Sequence, residues 1–200
     1  AKIRKELGIG ADQLIIGSFQ KDGNGWRKGL TPKLIKGPDI FCDMITKLAK
    51  KNKIHVLLTG PARGYVIKRL RDAKINFSHF YSRNYLSLIK YFQILDLYLI
   101  TSREEGGPKA LLESLACGVP LVSAKVGMVP EVIDDGKNGF LVNIEDVDSF
   151  CLKAGELIEN VNLRKTFVLN GLNAVKSYDY SLIAKMYWEE IYSKLLKYEN

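Results

Sequence analysis

Short apolar runs alternate with amphipathic segments along the chain up to about residue 142. Six runs rich in β-branched and aromatic residues predict strands, at residues 13–19, 54–59, 76–81, 95–100, 119–123 and 139–142. Most of these runs are continuously apolar instead of alternating with polar residues. That pattern is typical of parallel strands covered on both faces of a sheet.

Between the strand-like runs, apolar residues recur at helical spacing. Examples are Phe41, Ile45 and Leu48 in one segment and Leu111 and Leu115 in another. Regular alternation of strands and helices predicts an α/β fold. We therefore expect a Rossmann-like, doubly wound parallel sheet of about six strands, with helices on both faces.

The pattern after residue 142 is helical to the end. Asp146 or Asn143 is positioned to cap a helix running to residue 158, and a second helix is predicted over residues 162–176. A third begins near Asp179 or Ser181 and carries an aromatic and aliphatic stripe, interpreted as a packing surface. The Gly-, Pro- and Asn-containing stretch 21–37 is the one long loop, and long loops in compact domains are often functional.

The composition limits the classes of protein to which this chain can belong. The 200 residues are 46% hydrophobic and 26% charged, as in soluble globular proteins. No apolar run approaches the roughly 18 residues of a membrane span, and the first residues lack the apolar segment of a signal peptide. The net charge of +8 comes from lysines dispersed among acidic residues. Without a recognised nucleic-acid motif, we expect no nucleic-acid partner; the basic balance suits a nucleoside diphosphate and leaves peripheral membrane association open.

Cysteines and histidines give little sign of metal or nucleophilic chemistry. Cys42, Cys117 and Cys151 are widely separated, as expected of reduced thiols in a cytoplasmic protein. His55 and His79 lie in no recognisable catalytic constellation and are expected to be structural. We expect no metal and no cofactor. The absence of a G-x-G-x-x-G motif after the first strand and of a P-loop argues against a dinucleotide dehydrogenase or a P-loop enzyme.

The clearest candidate site follows the strand predicted at 95–100. It reads Glu105-Gly106-Gly107-Pro108 and leads into a helical segment containing Glu113, with Pro108 at the expected first helical position. Free amides at a helix N-terminus suit a diphosphate, and carboxylates accept hydrogen bonds from sugar and ribose hydroxyls. By spacing alone, Glu105 and Glu113 could equally be an ordinary first-turn acid and a solvated helix residue.

Residues 102–142 resemble the donor-binding core of the GT4-type retaining glycosyltransferases of GT-B fold. The shared features are two glutamates with seven residues between them, the Ala116-to-Pro120 stretch, Pro130-Glu131 and the Asp135-to-Gly139 turn. Looser similarity extends over nearly the whole chain. It includes Gly17, Lys36-Gly37, Thr59-Gly60 and Asp96.

The resemblance implies a role for each matching residue. Glu105 would be the catalytic residue that contacts the donor sugar, Glu113 would bind the ribose, and Tyr81 would lie near the base. The donor diphosphate would be held by Lys36 together with Gly106, Gly107, Lys109 and Ala110.

Two departures from the family pattern concern positive charge and amide donors. Ser18 stands where the family usually has an arginine. Arg27, Lys28 or Lys21 could supply the missing cation, although a solvated basic loop is an equal alternative. Pro108 replaces a common glycine and removes one amide donor. Arg63 and Lys68 follow a Gly/Pro turn that is more readily explained as chain reversal than as a donor contact.

The resemblance covers one half of a GT-B enzyme. Residues 1–200 would be the nucleotide-sugar donor domain, without the N-terminal acceptor-binding domain, and inactive alone. Two alternatives remain: a nucleotide-sugar epimerase of GT-B fold, and a non-catalytic nucleotide-sugar-binding or interaction module.

Overall fold

Six parallel strands form a single sheet in the computed structural model, which describes residues 2–26, 28–82 and 84–196. The strand order is β3-β2-β1-β4-β5-β6, so the direction of winding reverses between β1 and β4. This confirms the predicted Rossmann-like sheet of six strands. The strands are β1 Leu14–Phe19, β2 Ile54–Thr59, β3 Asn76–Phe80, β4 Leu97–Ile100, β5 Leu121–Ala124 and β6 Phe140–Val142.

Two strands begin two residues later than the apolar pattern predicts. The Asp96 carboxylate accepts a hydrogen bond from the Ile15 amide, 2.8 Å away. This side-chain contact joins the residue just before β4 to β1. The amide of Val119 donates to the Ser114 carbonyl at the end of the preceding helix. The residue just before each strand still bonds to the neighbouring strand, because the Asp96 amide donates to the Ile15 carbonyl and the Pro120 carbonyl accepts the Tyr98 amide.

Helices cover both faces of the sheet. The helix α2 contacts α3 and α7, whereas α5 contacts α4 and α8. The buried core between these layers is continuous, as the apolar strands predict. The helices are α1 Lys2–Glu6, α2 Pro38–Leu48, α3 Gly64–Asp72, α4 Ile89–Phe92, α5 Lys109–Ala116, α6 Val129–Val132, α7 Val147–Glu159, α8 Val161–Ala174, α9 Tyr180–Tyr187 and α10 Ser193–Leu195.

The C-terminal helices begin where their caps predict, but the last of them does not pack as expected. Asp146 caps α7 through the Ser149 amide, and Asp179 caps α9 through the Ser181 amide. The sequence predicts a packing surface for the stripe that runs from Ile183 to Leu195. Apart from the half-buried Ile183, its side chains are instead exposed, with Met186 at 57% and Tyr187 at 54%. None of the helices described between residues 2 and 196 is long and apolar enough to cross a membrane.

The long loop after β1 is folded against the sheet. Gly23 and Pro32 form an isolated antiparallel bridge, which closes the loop on itself. The carbonyls of Lys28 and Gly29 accept the amides of Gly64 and Tyr65, so this loop satisfies the first amides of α3. The first two amides of α3 are therefore bonded to protein carbonyls and are not available to a ligand.

Candidate functional site

A cavity of about 500 Å³ opens at the carboxyl ends of β1, β2 and β4. This is the point where the strand order reverses, and ligands of open α/β sheets bind there. The cavity wall includes most of the predicted site residues. They are Lys36, Tyr81, Glu105, Gly107, Lys109, Ala110 and Glu113.

The start of α5 faces this cavity with unused hydrogen-bond donors. Pro108 has an extended ψ of 109° and is the N-cap, so the helix begins at Lys109 and not at Pro108 as predicted. Within the described residues, no acceptor takes the amide hydrogens of Lys109 or Ala110. These two amides are therefore available to an anion, and the proline contributes none.

The backbone of the Gly-rich turn is set by a second glycine turn beneath it. Gly127 has a φ of 48°, and a Cβ there would lie 2.1 Å from the Gly106 carbonyl oxygen. The Met128 amide donates to that same carbonyl at 2.9 Å. Gly127 is therefore needed for the close approach that supports Gly106, while a Cβ on Gly106 itself would meet open space.

Lys36 and Glu105 meet in the cavity although 69 residues separate them. The Lys36 ammonium lies 2.6 Å from Glu105 Oε1, and the Ser102 hydroxyl donates to the same oxygen at 2.9 Å. Both side chains are largely shielded, with exposures of 24% and 13%. The ion pair brings the cation expected at the diphosphate next to the carboxylate expected at the sugar.

Two contacts hold the Lys36 turn against the Glu105 loop. Arg103 binds both carboxylate oxygens of Asp39, at 2.9 and 2.7 Å, and donates to the Leu34 carbonyl at 2.7 Å. Gly37 has a φ of 59°, and a Cβ there would lie only 1.8 Å from the Thr101 carbonyl oxygen. The glycine after Lys36 is therefore required by backbone contact, a reason that the sequence could not supply.

Glu113 lies one turn inside α5, with its side chain half-buried at the cavity wall. Burial raises the pKa of its carboxyl above the usual value. The sequence left open whether Glu113 is a solvated helix residue. Its half-buried position in the cavity, without an ion pair to any described residue, is inconsistent with a purely solvated role.

The far end of the cavity is aromatic. Tyr81 and Tyr85, both about half exposed, line it beside Gly60 and Ser82. Tyr98 was missed by sequence reasoning: it is buried behind the cavity, and its hydroxyl accepts the Phe19 amide at 2.8 Å. Its position in the middle of an apolar strand looked like ordinary core, and only the packing shows that it closes the cavity floor.

The candidate cations of the long loop divide between two cavities. Lys21 lines the cavity, with its ammonium 3.9 Å from the centre of the Trp26 ring. Lys28 does not: it lines a separate cavity beside Arg71, because the Lys28 backbone is drawn toward the start of α3. Arg27 lies outside the described residues. Lys33, which sequence reasoning did not select, lines the same cavity as Lys36.

Arg63 is a buried structural residue. Its guanidinium donates to the carbonyls of Ser18, Gln20 and Thr59 and forms an ion pair with Asp22, Nε to Oδ1 3.0 Å. Ser18 is itself buried and accepts a further bond from Arg63 through its hydroxyl. Neither residue at this junction is exposed to a ligand, in agreement with the expectation that residues 59–64 reverse the chain.

Several residues shared with the family serve the fold instead of the cavity. Buried Asn138 links the Asp134 amide to the Val132 carbonyl, and Asp135 accepts the Leu141 amide. Neither they nor Glu131 lines the cavity. These residues shape the chain between α6 and β6, which in turn supports β5.

The described residues contain no group of three or more His, Cys, Asp or Glu side chains that could hold a metal ion. Burial raises the pKa of the Cys42 thiol to about 12 and lowers the pKa of His55. Neither residue lines the cavity. The groups that remain at the cavity are two carboxylates, four lysines and two free amides. This set can bind a polyhydroxylated, anionic ligand, with the acids on hydroxyls and the donors on phosphate.

Comparison with known proteins finds relatives in sequence and in structure, among them a glycosyltransferase. An uncharacterized glycosyltransferase of Methanocaldococcus jannaschii is 29% identical over 150 residues, which cover 72% of this chain and 41% of that protein. The N-acetyl-alpha-D-glucosaminyl L-malate synthase of Bacillus anthracis is 24% identical over 167 residues, covering 82% of this chain and 41% of the synthase. Anabaena Alr3699/HepE, solved in complex with UDP-glucose, has a TM-score of 0.80 at 23% identity, covering 96% of this chain and 52% of that chain.

The chain spans about half the length, or less, of these relatives, and it shares its fold with the matching half of HepE. The family profile described as "Glycosyl transferases group 1" matches residues 30–173, well over half of the chain. That match includes Lys36, Glu105 and Glu113 and both glycine turns around them. The chain belongs to the group 1 glycosyl transferase family.

Proposed function

We propose that this chain is the donor-binding half of a retaining, GT4-type glycosyltransferase and that the 500 Å³ cavity holds a nucleoside-diphosphate sugar. The observation that carries the proposal is the grouping of three features in one cavity. The free amides of Lys109 and Ala110, the Lys36–Glu105 pair and the half-buried Glu113 lie at the reversal point of the sheet. The complex of the structural neighbour HepE with UDP-glucose supports a ligand of this class.

The chemistry of the cavity supports one orientation of the ligand. Its diphosphate would meet the start of α5, where the helix dipole and the free amides favour negative charge. Glu113, deeper along the same helix, would accept hydrogen bonds from the ribose hydroxyls. The base would then extend toward the aromatic end at Tyr81, and the sugar toward Glu105.

Such an arrangement would stabilise the diphosphate as it leaves the sugar. When the glycosidic bond to the diphosphate breaks, negative charge grows on the phosphate oxygens. Fixed amides and the Lys36 ammonium then bind the transition state more strongly than the ground state. Glu105, held by Lys36 and Ser102, would position the sugar through its hydroxyls and place its negative charge near the sugar ring.

Calorimetric titration of the chain with UDP, GDP, ADP and their sugars tests the proposal. We expect one nucleoside diphosphate to bind and Glu113→Gln to weaken it about tenfold, because a charged acceptor of the ribose hydroxyls is lost. The matched control is Glu159→Gln, at the exposed end of α7, which should bind as the wild type does. Failure of all six ligands to bind would refute the proposal. Unchanged affinity in Glu113→Gln would favour an interaction module.

The acceptor side of the reaction belongs to the same proposal. Because the chain matches about half of each relative, we infer that an N-terminal acceptor-binding domain completes the enzyme and that the chain alone transfers no sugar. Product analysis with a nucleotide sugar and candidate acceptors tests this inference. Transfer by the chain alone would refute the need for a second half, and formation of an epimer would favour the epimerase.

A further inference from the structure

A diphosphate in this cavity would need a positive charge beyond that of Lys36. Lys36, the cation expected there, is already paired with Glu105 at 2.6 Å. Glu113 adds a second carboxylate in the same cavity, and its raised pKa reflects burial alone, without a neighbouring cation. A ligand carrying two or three negative charges needs at least one further positive group to be bound without strong repulsion.

Lys33 meets that requirement by its position. Residues Leu34–Lys36 form one turn of 3₁₀-helix whose N-cap is Lys33. Lys33 and Lys36 both line the cavity, whereas Leu34 and Ile35 between them are exposed to solvent.

Lys33 also differs from the other lysines of the cavity. Its side chain is half-buried, and it forms no ion pair with any carboxylate of the described residues. Lys21 is turned toward the exposed Trp26 ring, and Lys109 is exposed at the mouth of α5. A lysine without a counter-charge at the cavity wall is available to bind an anion.

The backbone at Lys33 is fixed by the buried ion pair below it. The Lys33 amide donates to the Asp22 carbonyl at 2.7 Å, and the Asp22 carboxylate is paired with Arg63. Asp22 and Arg63 are about 1% exposed. A cation on a backbone that is already held in place loses little further entropy when it binds an anion.

We propose that Lys33 is a second diphosphate-binding cation of this site, acting beside Lys36 and placed by the buried Asp22–Arg63 pair. The inference rests on the proposed donor site and adds a residue to it. It adds Lys33 to the loop cations considered from the sequence, of which Lys28 lines a different cavity, and it would compensate for the serine at position 18, where the family usually has an arginine.

The test compares UDP with uridine in calorimetric titrations of the chain. Lys33→Gln should weaken UDP about tenfold, as expected for the loss of a hydrogen bond between charged groups, and leave uridine unchanged. Lys33→Arg should restore at least half of the lost UDP affinity on a logarithmic scale. The matched control Lys51→Gln removes the same charge from an exposed residue just before β2, at the end of the strands opposite the cavity, and should bind UDP within twofold of the wild type.

Three outcomes overturn the inference. If Lys33→Gln binds UDP as the wild type does while Glu113→Gln is weakened, Lys33 is not a ligand and the proposed donor site stands. If Lys33→Gln loses UDP and uridine equally, its role is structural. If the wild type binds no UDP, the titration is repeated with GDP and ADP and their nucleosides; no binding of any of the three refutes the donor site and the Lys33 role together.

Discussion

Replacing Gly37 by alanine should disrupt the contact that brings Lys36 to Glu105. The new Cβ would lie 1.8 Å from the Thr101 carbonyl oxygen, whereas ordinary contact begins near 3.4 Å. The Lys36 turn and the end of β4 must therefore separate by about 1.6 Å. That displacement is large compared with the 2.6 Å between the Lys36 ammonium and the Glu105 carboxylate.

The energetic cost of Gly37→Ala has two parts. Holding a residue with a Cβ at a φ of 59° costs about 1 kcal/mol. Forcing extra volume into a packed contact costs about 1–3 kcal/mol more. A total of about 2–4 kcal/mol leaves a domain of typical stability folded but lowers its melting temperature by about 4–16 °C.

The matched control is Gly136→Ala. Gly136 has a φ of 77°, but nothing lies within 4 Å of the Cβ position, so only the backbone strain applies. Thermal unfolding should show a drop for Gly136→Ala of about one quarter to one half of that for Gly37→Ala. Calorimetry should show about tenfold weaker UDP binding for Gly37→Ala alone, because Lys36 is displaced. Equal melting temperatures and equal UDP affinities in the two variants would refute this account.

Further predictions concern the acid, the buried pair and the second glycine turn. Burial raises the pKa of Glu113 above 4.5 in the folded state, so its charged form is disfavoured there. The folded protein therefore loses stability as the pH rises from about 4.5 through the folded-state pKa. Denaturant unfolding should therefore show Glu113→Gln gaining stability over the wild type as the pH is raised from acidic to neutral, and a constant difference would contradict this. Asp22→Asn leaves the Arg63 charge buried without its partner and should cost about 3–5 kcal/mol in urea unfolding, whereas a loss below about 1 kcal/mol would mean that the pair contributes little. Gly127→Ala places a Cβ 2.1 Å from the Gly106 carbonyl oxygen and should weaken UDP binding about tenfold, measured against Gly8→Ala, which has a similar positive φ in open space.

The amino-acid sequence by itself determined the elements and their class. Six predicted runs became six parallel strands. Five of them are largely buried, and a strand buried on both faces needs apolar residues at nearly every position, whereas the edge strand β3 is only partly buried. Helix starts at Asp146 and Asp179 were predictable, because capping depends on a side chain and an amide only two or three residues away. The Gly-rich turn with Glu105 and Glu113 was likewise predictable, because the strand, the turn and the helix follow one another directly in the sequence.

Contacts between distant segments were decided only by the tertiary structure. The Lys36–Glu105 pair, the burial of Arg63 and the placement of Lys33 instead of Lys28 at the cavity all depend on how the loop after β1 folds onto β2 and β4. In an irregular loop no periodicity fixes the direction of a side chain, so a run of basic residues does not show which of them faces a ligand. The strand order, the loop's hydrogen bonds to the start of α3 and the close approach at Gly37 set those directions, and each arises from contacts between residues far apart in sequence.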